Sequence, residues 1–212
     1  MNPADIRRNY SSGTLERAEL DANPIKQFQI WFECAVAKDS SGDVNAMVLA
    51  TADKNDRPSS RTVLLKGVDE RGFIFYTNYD SRKGRELAEN PNAALTFYWP
   101  DWERQVCVAG TVSKISAEES ESYFKSRPRG SRLAAWASNQ SDVVPDRAML
   151  DKKWDEVAAK FPDDVPLPPN WGGYVLKPER IEFWQGRVNR LHDRFCYTRQ
   201  SDNSWKLERL SP

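Results

Sequence analysis

Four stretches of this chain set cations among hydroxyl and amide donors: Arg61 to Lys66 (RTVLLK), Tyr76 to Lys83 (YTNYDSRK), Tyr123 to Ser131 (YFKSRPRGS) and Trp184 to Arg194 (WQGRVNRLHDR). That mixture suits a phosphate, because charge attracts the anion and oriented donors fix its oxygens. Arginine offers a planar fork and lysine a compact point charge. Taken singly, each stretch also reads as a solvated face with surface ion pairs, which contribute little. Arg61 and Lys66 could end a strand at the water, and Tyr123 to Ser131 could be a helix end with its linker. The chain has 31 Lys plus Arg against 31 Asp plus Glu, a formal net charge of zero, so four such stretches are harder to dismiss together than singly. Arg82 and Lys83 fall in the expected first turn of a helix, against its dipole. A bound anion there offsets the cost.

His192 is the only histidine, so any imidazole chemistry has one candidate. If residues 190–194 are extended, Arg190, His192 and Arg194 point to one side. Neighbouring Arg charge then favours neutral His192 at pH 7. Other chemistries find no support. There is no GxGxxG and no GxxxxGK[ST] for nucleotide phosphates, and no GxSxG nucleophile elbow. One His with three scattered cysteines, Cys34, Cys107 and Cys196, excludes a His-rich metal site and argues against zinc. A Ser–His–Asp triad could use only His192, and the adjacent Asp193 points the other way on a strand. The polypeptide offers poor redox or hydrolytic machinery of its own, so an enzyme here needs a cofactor for the hard step.

The elements that must position these groups can be read from periodicity and punctuation. The 212 residues suit one large domain. Asn23-Pro24 is an N-cap followed by proline at the first helical position, and Phe28, Trp31, Phe32 and Ala35 form one apolar helix face. Ala46 to Ala52, Arg61 to Val68 and Phe73 to Thr77 read as strands, with a hairpin turn at Asp69 to Gly72. Ser81 caps a short helix that Asn90-Pro91 stops. Ala93 to Trp99 and Arg104 to Ile115 read as a hairpin. Helices follow from Ser116 to near Arg127, from Arg132 to Ala137, and from Asp146 to Phe161. The C-terminal third returns to strands at 173–177, 180–185, 194–199 and 205–210. Closely spaced strands with tight turns point to an antiparallel sheet or barrel. Residues 1–22 are expected to be a flexible segment and 23–212 one domain. Zero net charge speaks against nucleic acid as a partner. No secretory h-region is seen in MNPADIRRNYSSG and no apolar run approaches a membrane span, so the expected location is the cytoplasm, with reduced cysteines and no membrane partner.

RTVLLK (61–66), FYTNYDSRK (75–83), ERQV (103–106), SRPRGS (126–131), Trp171-Gly172-Gly173 and above all FWQGRVNRLHDR (183–194) resemble the pyridoxamine/pyridoxine 5′-phosphate oxidase family, from about Arg7 to the C-terminal ERLSP. The resemblance implies an α+β fold: an FMN-binding split β-barrel, mainly antiparallel and Greek-key-like, with flanking helices. It implies a homodimer with two FMN sites between the subunits. Arg61, Thr62, Val63, Leu64, Leu65, Lys66, Tyr76 and Thr77 would line the FMN, and Arg82 and Lys83 would bind its phosphate. Gln105, Gln140, Ser141, Trp184 and Arg194 would complete that site. Lys66, Tyr123, Arg127 and Ser131 would hold the substrate phosphate. Arg190, Leu191 and His192 would meet the substrate ring, with Arg190 and His192 carrying catalysis. Arg7, Arg8, Asn9 and Tyr10 resemble a segment that covers the site as a lid. The implied reaction passes hydride from C4′ of pyridoxine or pyridoxamine 5′-phosphate to N5 of FMN. O2 reoxidises the flavin, giving pyridoxal 5′-phosphate and H2O2 in vitamin B6 salvage. Another split-barrel FMN oxidoreductase, or a non-catalytic FMN- or B6-phosphate-binding protein, would share part of the pattern. One tension stands: Arg61 and Lys66 have opposite strand parity, so a regular strand sends them to opposite faces.

Overall fold

The computed structural model describes residues 2–6, 9–38 and 42–212. Arg7 and Arg8, expected in the lid segment, lie outside the described residues. The first helix, α1 (Pro24–Lys38), begins where Asn23 accepts from the Ile25 N–H at 2.9 Å. It buries Ile25, Phe28, Trp31 and Ala35 against the sheet, with Phe28 edge-on to Phe73 at 4.8 Å between ring centroids.

The strands are β1 (Ala46–Ala52), β2 (Pro58–Leu64), β3 (Gly67–Asp69), β4 (Gly72–Asn78), β5 (Asn92–Trp99), β6 (Arg104–Lys114), β7 (Trp171–Gln185), β8 (Asp193–Arg199) and β9 (Trp205–Leu210). Among the described residues they form one antiparallel sheet in the order β2-β1-β5-β6-β7-β4-β3, with β8 and β9 added beside β7. The long β7 pairs β6 on one side and, on the other, β4 along its first half and β8 along its second. Its inner face carries Phe183 and Leu176, and with Phe97, Val106, Val108, Phe195 and Tyr197 these make the main core. The architecture is the curled antiparallel split barrel that the resemblance implies. Helices α2 (Arg82–Glu89), α3 (Ala117–Ser126), α4 (Arg129–Ala137) and α5 (Arg147–Lys160) flank it, and Phe124, Leu133, Val165 and Trp171 form a second cluster under α3 and α4.

Three local expectations change. Arg61 to Val68 is not one strand: it breaks after Leu64, where the Leu65 N–H turns to Asn45 O and the Lys66 N–H to Ile74 O, both at 2.8 Å. Leu65 plugs into the core and Lys66 swings outward, which removes the parity conflict with Arg61. Residues 173–177 and 180–185 are one strand, because a bulge opposite Ala109/Gly110 takes up Glu179 and the ladder continues with Pro178 opposite Gly110. A Cβ at Gly110 would stand 2.0 Å from Lys177 O, so only glycine fits that bulge. Helix α4 starts at Arg129 rather than Arg132. Helix α5 forms as expected but buries none of its residues fully. No helix among the described residues is long and apolar enough to cross a membrane.

Candidate anion and ring-binding site

A cavity of about 770 Å³ opens between β2, the end of β4, the starts of α2 and α4, and the 138–141 loop. Arg61, Thr62, Val63, Leu64, Lys66, Tyr76, Thr77, Arg82, Lys83, Tyr123, Arg127, Ser131, Gln140 and Ser141 all line it. Among the described residues its wall holds five cations and no carboxylate.

The cations form two groups. In the first, Arg61, Arg82 and Lys83 are fixed from behind. Arg61 donates to Leu49 O, Thr51, Ser59 and Glu86, and Arg82 Nε donates to Glu86 at 2.8 Å. Lys83 spends its three protons on Thr77 (3.0 Å), Ser81 (3.2 Å) and Gln140 (2.7 Å). Burial, assisted by the Arg61 charge, brings its ammonium down to about 8. The Arg82 side chain is 64% exposed and lines the cavity. Ser81 caps α2 by accepting from the Gly84 N–H, and Ser141 accepts from the Arg82 N–H at 3.2 Å, so the 140–141 loop is seated on the start of α2.

The second group is Lys66 and Arg127 with Tyr123 and Ser131. Helix α4 has Pro128 at its N-cap and no side-chain cap, so its first N–H groups are open to an anion. Arg127 stacks on Trp171 at 4.6 Å and its Nη1 is buried without a hydrogen-bond partner. Burial pulls its guanidinium below its ordinary value. Tyr76 and Tyr123 stack at 3.8 Å, and both lie nearly parallel to Trp171. Burial raises both phenols, which stay protonated donors at neutral pH.

The remaining expected residues stand elsewhere in the chain. Gln105, Trp184 and Arg194 face one another across β6, β7 and β8 in direct register. Their strand neighbours Val106, Phe183 and Phe195 are in the core, so this row lies on the outer face. Arg194 is paired with Glu182 at 2.8 Å. Residues 190–194 are not extended: Val188–Arg190 form a 3-10 turn with positive φ at Asn189 and Arg190. The expectation that Arg190, His192 and Arg194 share one strand face therefore fails, because the turn reorients Arg190 and His192 while Arg194 enters β8. Arg190 and Leu191 are exposed, as is Asn9. Tyr10 lies edge-on to His192 and to Trp184, both at 5.6 Å.

The His192 Nδ1 accepts from the Arg187 N–H at 3.1 Å, so the neutral ring carries its proton on Nε2 and presents a donor. Burial and then the Arg190 charge lower its pKa from the ordinary 6.5, against a smaller upward pull from Asp193. The only imidazole gives a single NMR titration, expected to have its midpoint below 6.5. Arg190→Gln should move that midpoint up. A wild-type midpoint above 6.5, or no response to Arg190→Gln, contradicts this electrostatic arrangement.

Residues 37–161 match the family model described as pyridoxamine 5′-phosphate oxidase, and residues 171–212 match that of the pyridoxine 5′-phosphate oxidase C-terminal dimerisation region. The chain belongs to the pyridoxamine 5′-phosphate oxidase family. A pyridoxine/pyridoxamine 5′-phosphate oxidase of Paraburkholderia phytofirmans is 56% identical over 210 residues, covering 99% of this chain and 98% of that protein. One of Burkholderia mallei is 56% identical over 211 residues with the same coverage. Among solved structures, PhzG from Burkholderia lata in complex with tetrahydrophenazine-1-carboxylic acid matches with a TM-score of 0.87 at 34% identity, over 94% of this chain and 98% of that one. A pyridoxamine 5′-phosphate oxidase-related, FMN-binding protein of Nostoc punctiforme shares the fold, with a TM-score of 0.73 at 20% identity over 91% of this chain and 100% of that one. Membership places the chain among the oxidoreductases.

Sequence reasoning missed several parts of this site. Ser59 and Ser138 line the cavity, Asn78 and Trp171 line it from within motifs that had given them no role, and Glu86 anchors two of its arginines from behind. Glu86 looks like any helix glutamate in the sequence. Its i−4 spacing from Arg82 was the one available signal.

Proposed function

We propose that this chain is an FMN-dependent oxidase that converts pyridoxine and pyridoxamine 5′-phosphates to pyridoxal 5′-phosphate, acting as a homodimer. The observation that carries the reading is the buried, unpartnered Nη1 of Arg127 in a cavity with five cations and no carboxylate. A buried guanidinium without a counterion is costly unless a ligand anion completes it.

The two cation groups fit two phosphates. Arg82, backed by Arg61 and Lys83, would hold the FMN phosphate, with Thr62 to Leu64 and Tyr76, Thr77, Gln140 and Ser141 along the rest of the cofactor. Arg127, Lys66, Ser131, Tyr123 and the open start of α4 would hold the phosphate of the substrate. That remote grip supplies binding energy for orienting the reacting carbon. FMN, when bound, would supply the two-electron acceptor for hydride from C4′ and would be reoxidised by O2 to give H2O2; the alcohol loses its proton to give the aldehyde, and the amine gives an imine that water hydrolyses to the aldehyde and ammonia. His192 contributes an Nε2–H donor toward the substrate ring. Arg190, which makes no hydrogen bond or ion pair among the described residues, contributes a free positive charge beside it.

A second copy explains why Gln105, Trp184 and Arg194 stand outside the cavity. Strands β2 and β7 are four strand spacings apart, roughly 19 Å along the sheet. The outer face between them leaves Val48, Leu64 and Tyr98 at 43%, 40% and 50% exposure. Packing this face on itself about a two-fold axis buries those side chains and brings one copy's Gln105–Trp184–Arg194 row to its partner's cavity. The match of residues 171–212 to a dimerisation region supports this.

The test is anaerobic addition of pyridoxine 5′-phosphate to the FMN-loaded protein. The yellow colour should bleach, then return with peroxide when air is admitted. A flavin that ignores pyridoxine 5′-phosphate but bleaches with tetrahydrophenazine-1-carboxylic acid would leave the family standing and refute the substrate.

A further inference from the structure

The N-terminal stretch from Tyr10 to Leu15 does not hang free: it is docked across the ends of β6, β7 and β8. Glu103, only 3% exposed and with φ of 51°, closes the turn between β5 and β6. Its carboxylate Oε2 accepts from two successive backbone N–H groups, Ser11 at 2.6 Å and Ser12 at 2.8 Å. Its backbone carbonyl accepts from the Gly186 N–H at 2.8 Å, so one residue ties the N-terminal stretch to the end of β7. At the far end of the stretch, Asp193 accepts from the Leu15 N–H at 3.1 Å. Between these ties Tyr10 is laid over Gly186, where a Cβ would come within 2.8 Å of its ring, and meets Trp184 and His192 edge-on.

We infer that Glu103 is a positioning residue: by capping the Ser11 and Ser12 N–H groups it sets the register of the N-terminal stretch so that Tyr10 walls the ring-binding end of the site beside His192. Successive N–H groups aimed at one carboxylate make a short, charge-assisted clamp. A clamp on the backbone fixes where Tyr10 falls whatever residues stand at 11 and 12, which leaves no pattern at those positions in the sequence. This role rests on the proposed oxidase reading for its effect on catalysis, but the clamp itself can be measured without substrate.

The experiment uses the FMN-loaded protein and the variants Glu103→Gln, Glu103→Ala, Tyr10→Ala, Ser11→Pro and the double variant Glu103→Ala/Tyr10→Ala. Amide hydrogen exchange at residues 10–15 should speed up at least tenfold in the Glu103 variants, while exchange in β6 and β7 is unchanged. The KM for pyridoxine 5′-phosphate should rise about tenfold in Glu103→Ala with kcat within about twofold. The double variant should be no worse than Tyr10→Ala, because Glu103 acts through Tyr10. Ser11→Pro deletes one donor and leaves the buried carboxylate in place, so it should reproduce the faster exchange if the Glu103 variants fold poorly. Unchanged exchange at residues 10–15 in every clamp variant overturns the inference, as does a fully additive KM loss in the double variant. A wild-type protein that shows the clamp by exchange but does not oxidise pyridoxine 5′-phosphate sinks the proposed substrate and leaves the clamp intact.

Discussion

Arg127→Leu is expected to raise the KM for pyridoxine 5′-phosphate about a hundredfold while leaving the apo chain at least as stable as before. The guanidinium stacks on Trp171, its Nη1 is buried without a partner, and burial already depresses its pKa. In the apo chain it is therefore a half-buried charge offset by the faces of Trp171 and Phe124 but by no carboxylate, and leucine can take over the contact with the indole. With substrate the balance reverses. Hydrogen bonds to charged groups are worth about 1.5–3 kcal/mol each, and an arginine fork makes two to a phosphate. Losing roughly 3 kcal/mol corresponds to about two decades of KM. Steady-state oxygen consumption and a thermal melt of the apo protein check both halves. A melting temperature lowered by several degrees with an unchanged KM would show that Arg127 is a strut over Trp171 and not an anion ligand.

The second large effect is on stability. Glu86→Gln is expected to cost about 3 kcal/mol at neutral pH, because it removes the carboxylate that pairs Arg61 and Arg82 and leaves Arg61 repelled by Lys83. For a chain of this size that lowers the melting temperature by about 10 °C. The carboxylate, with a side chain 6% exposed, accepts from Ser59, Thr51, Arg82 and Arg61. Burial alone would raise its pKa, but those four hydrogen bonds outweigh it and hold the group at about 2. A folded pKa below the unfolded value means the stabilisation is complete above the ordinary 4.5 and is lost as pH falls toward 2. The gap between wild type and Glu86→Gln should accordingly narrow below pH 4.5. FMN should raise the variant's melting temperature by more than it raises the wild type's, since its phosphate supplies the missing negative charge. Chemical denaturation across pH 2–8 measures the first effect and melts with and without FMN the second. A stability gap that stays constant down to pH 2 would show that Glu86 is not the charged keystone of this cluster.

These two residues mark the division between what local sequence reports and what the fold decides. Helix starts at Asn23-Pro24, Ser81, Ser116 and Asp146, and the turn at Asp69 to Gly72, could be placed from the chain alone, because caps and turns satisfy backbone groups within a few residues. The cavity residues in contiguous runs, 61–66, 76–83 and 123–131, were also legible, since each run brings its own cation and donors to one place. Leu65 is the exception inside a run: its side chain belongs to the core.

What the chain could not announce are contacts between distant positions. Glu86 reaches Thr51 and Ser59 because α2 packs on β1, and Glu103 reaches Ser11 because β6 begins where the N-terminal stretch crosses. The turn at 188–190 replaced an expected extended run because left-handed φ at Asn189 and Arg190 is set by the join of β7 to β8, not by hydrophobic period. Residue type and local spacing determined that this protein has cations set among hydroxyl and amide donors and an antiparallel barrel to carry them. Sheet register and helix packing alone decided which of those groups meet, because a hydrogen bond spanning many tens of residues depends on where two strands align and leaves no period in the sequence.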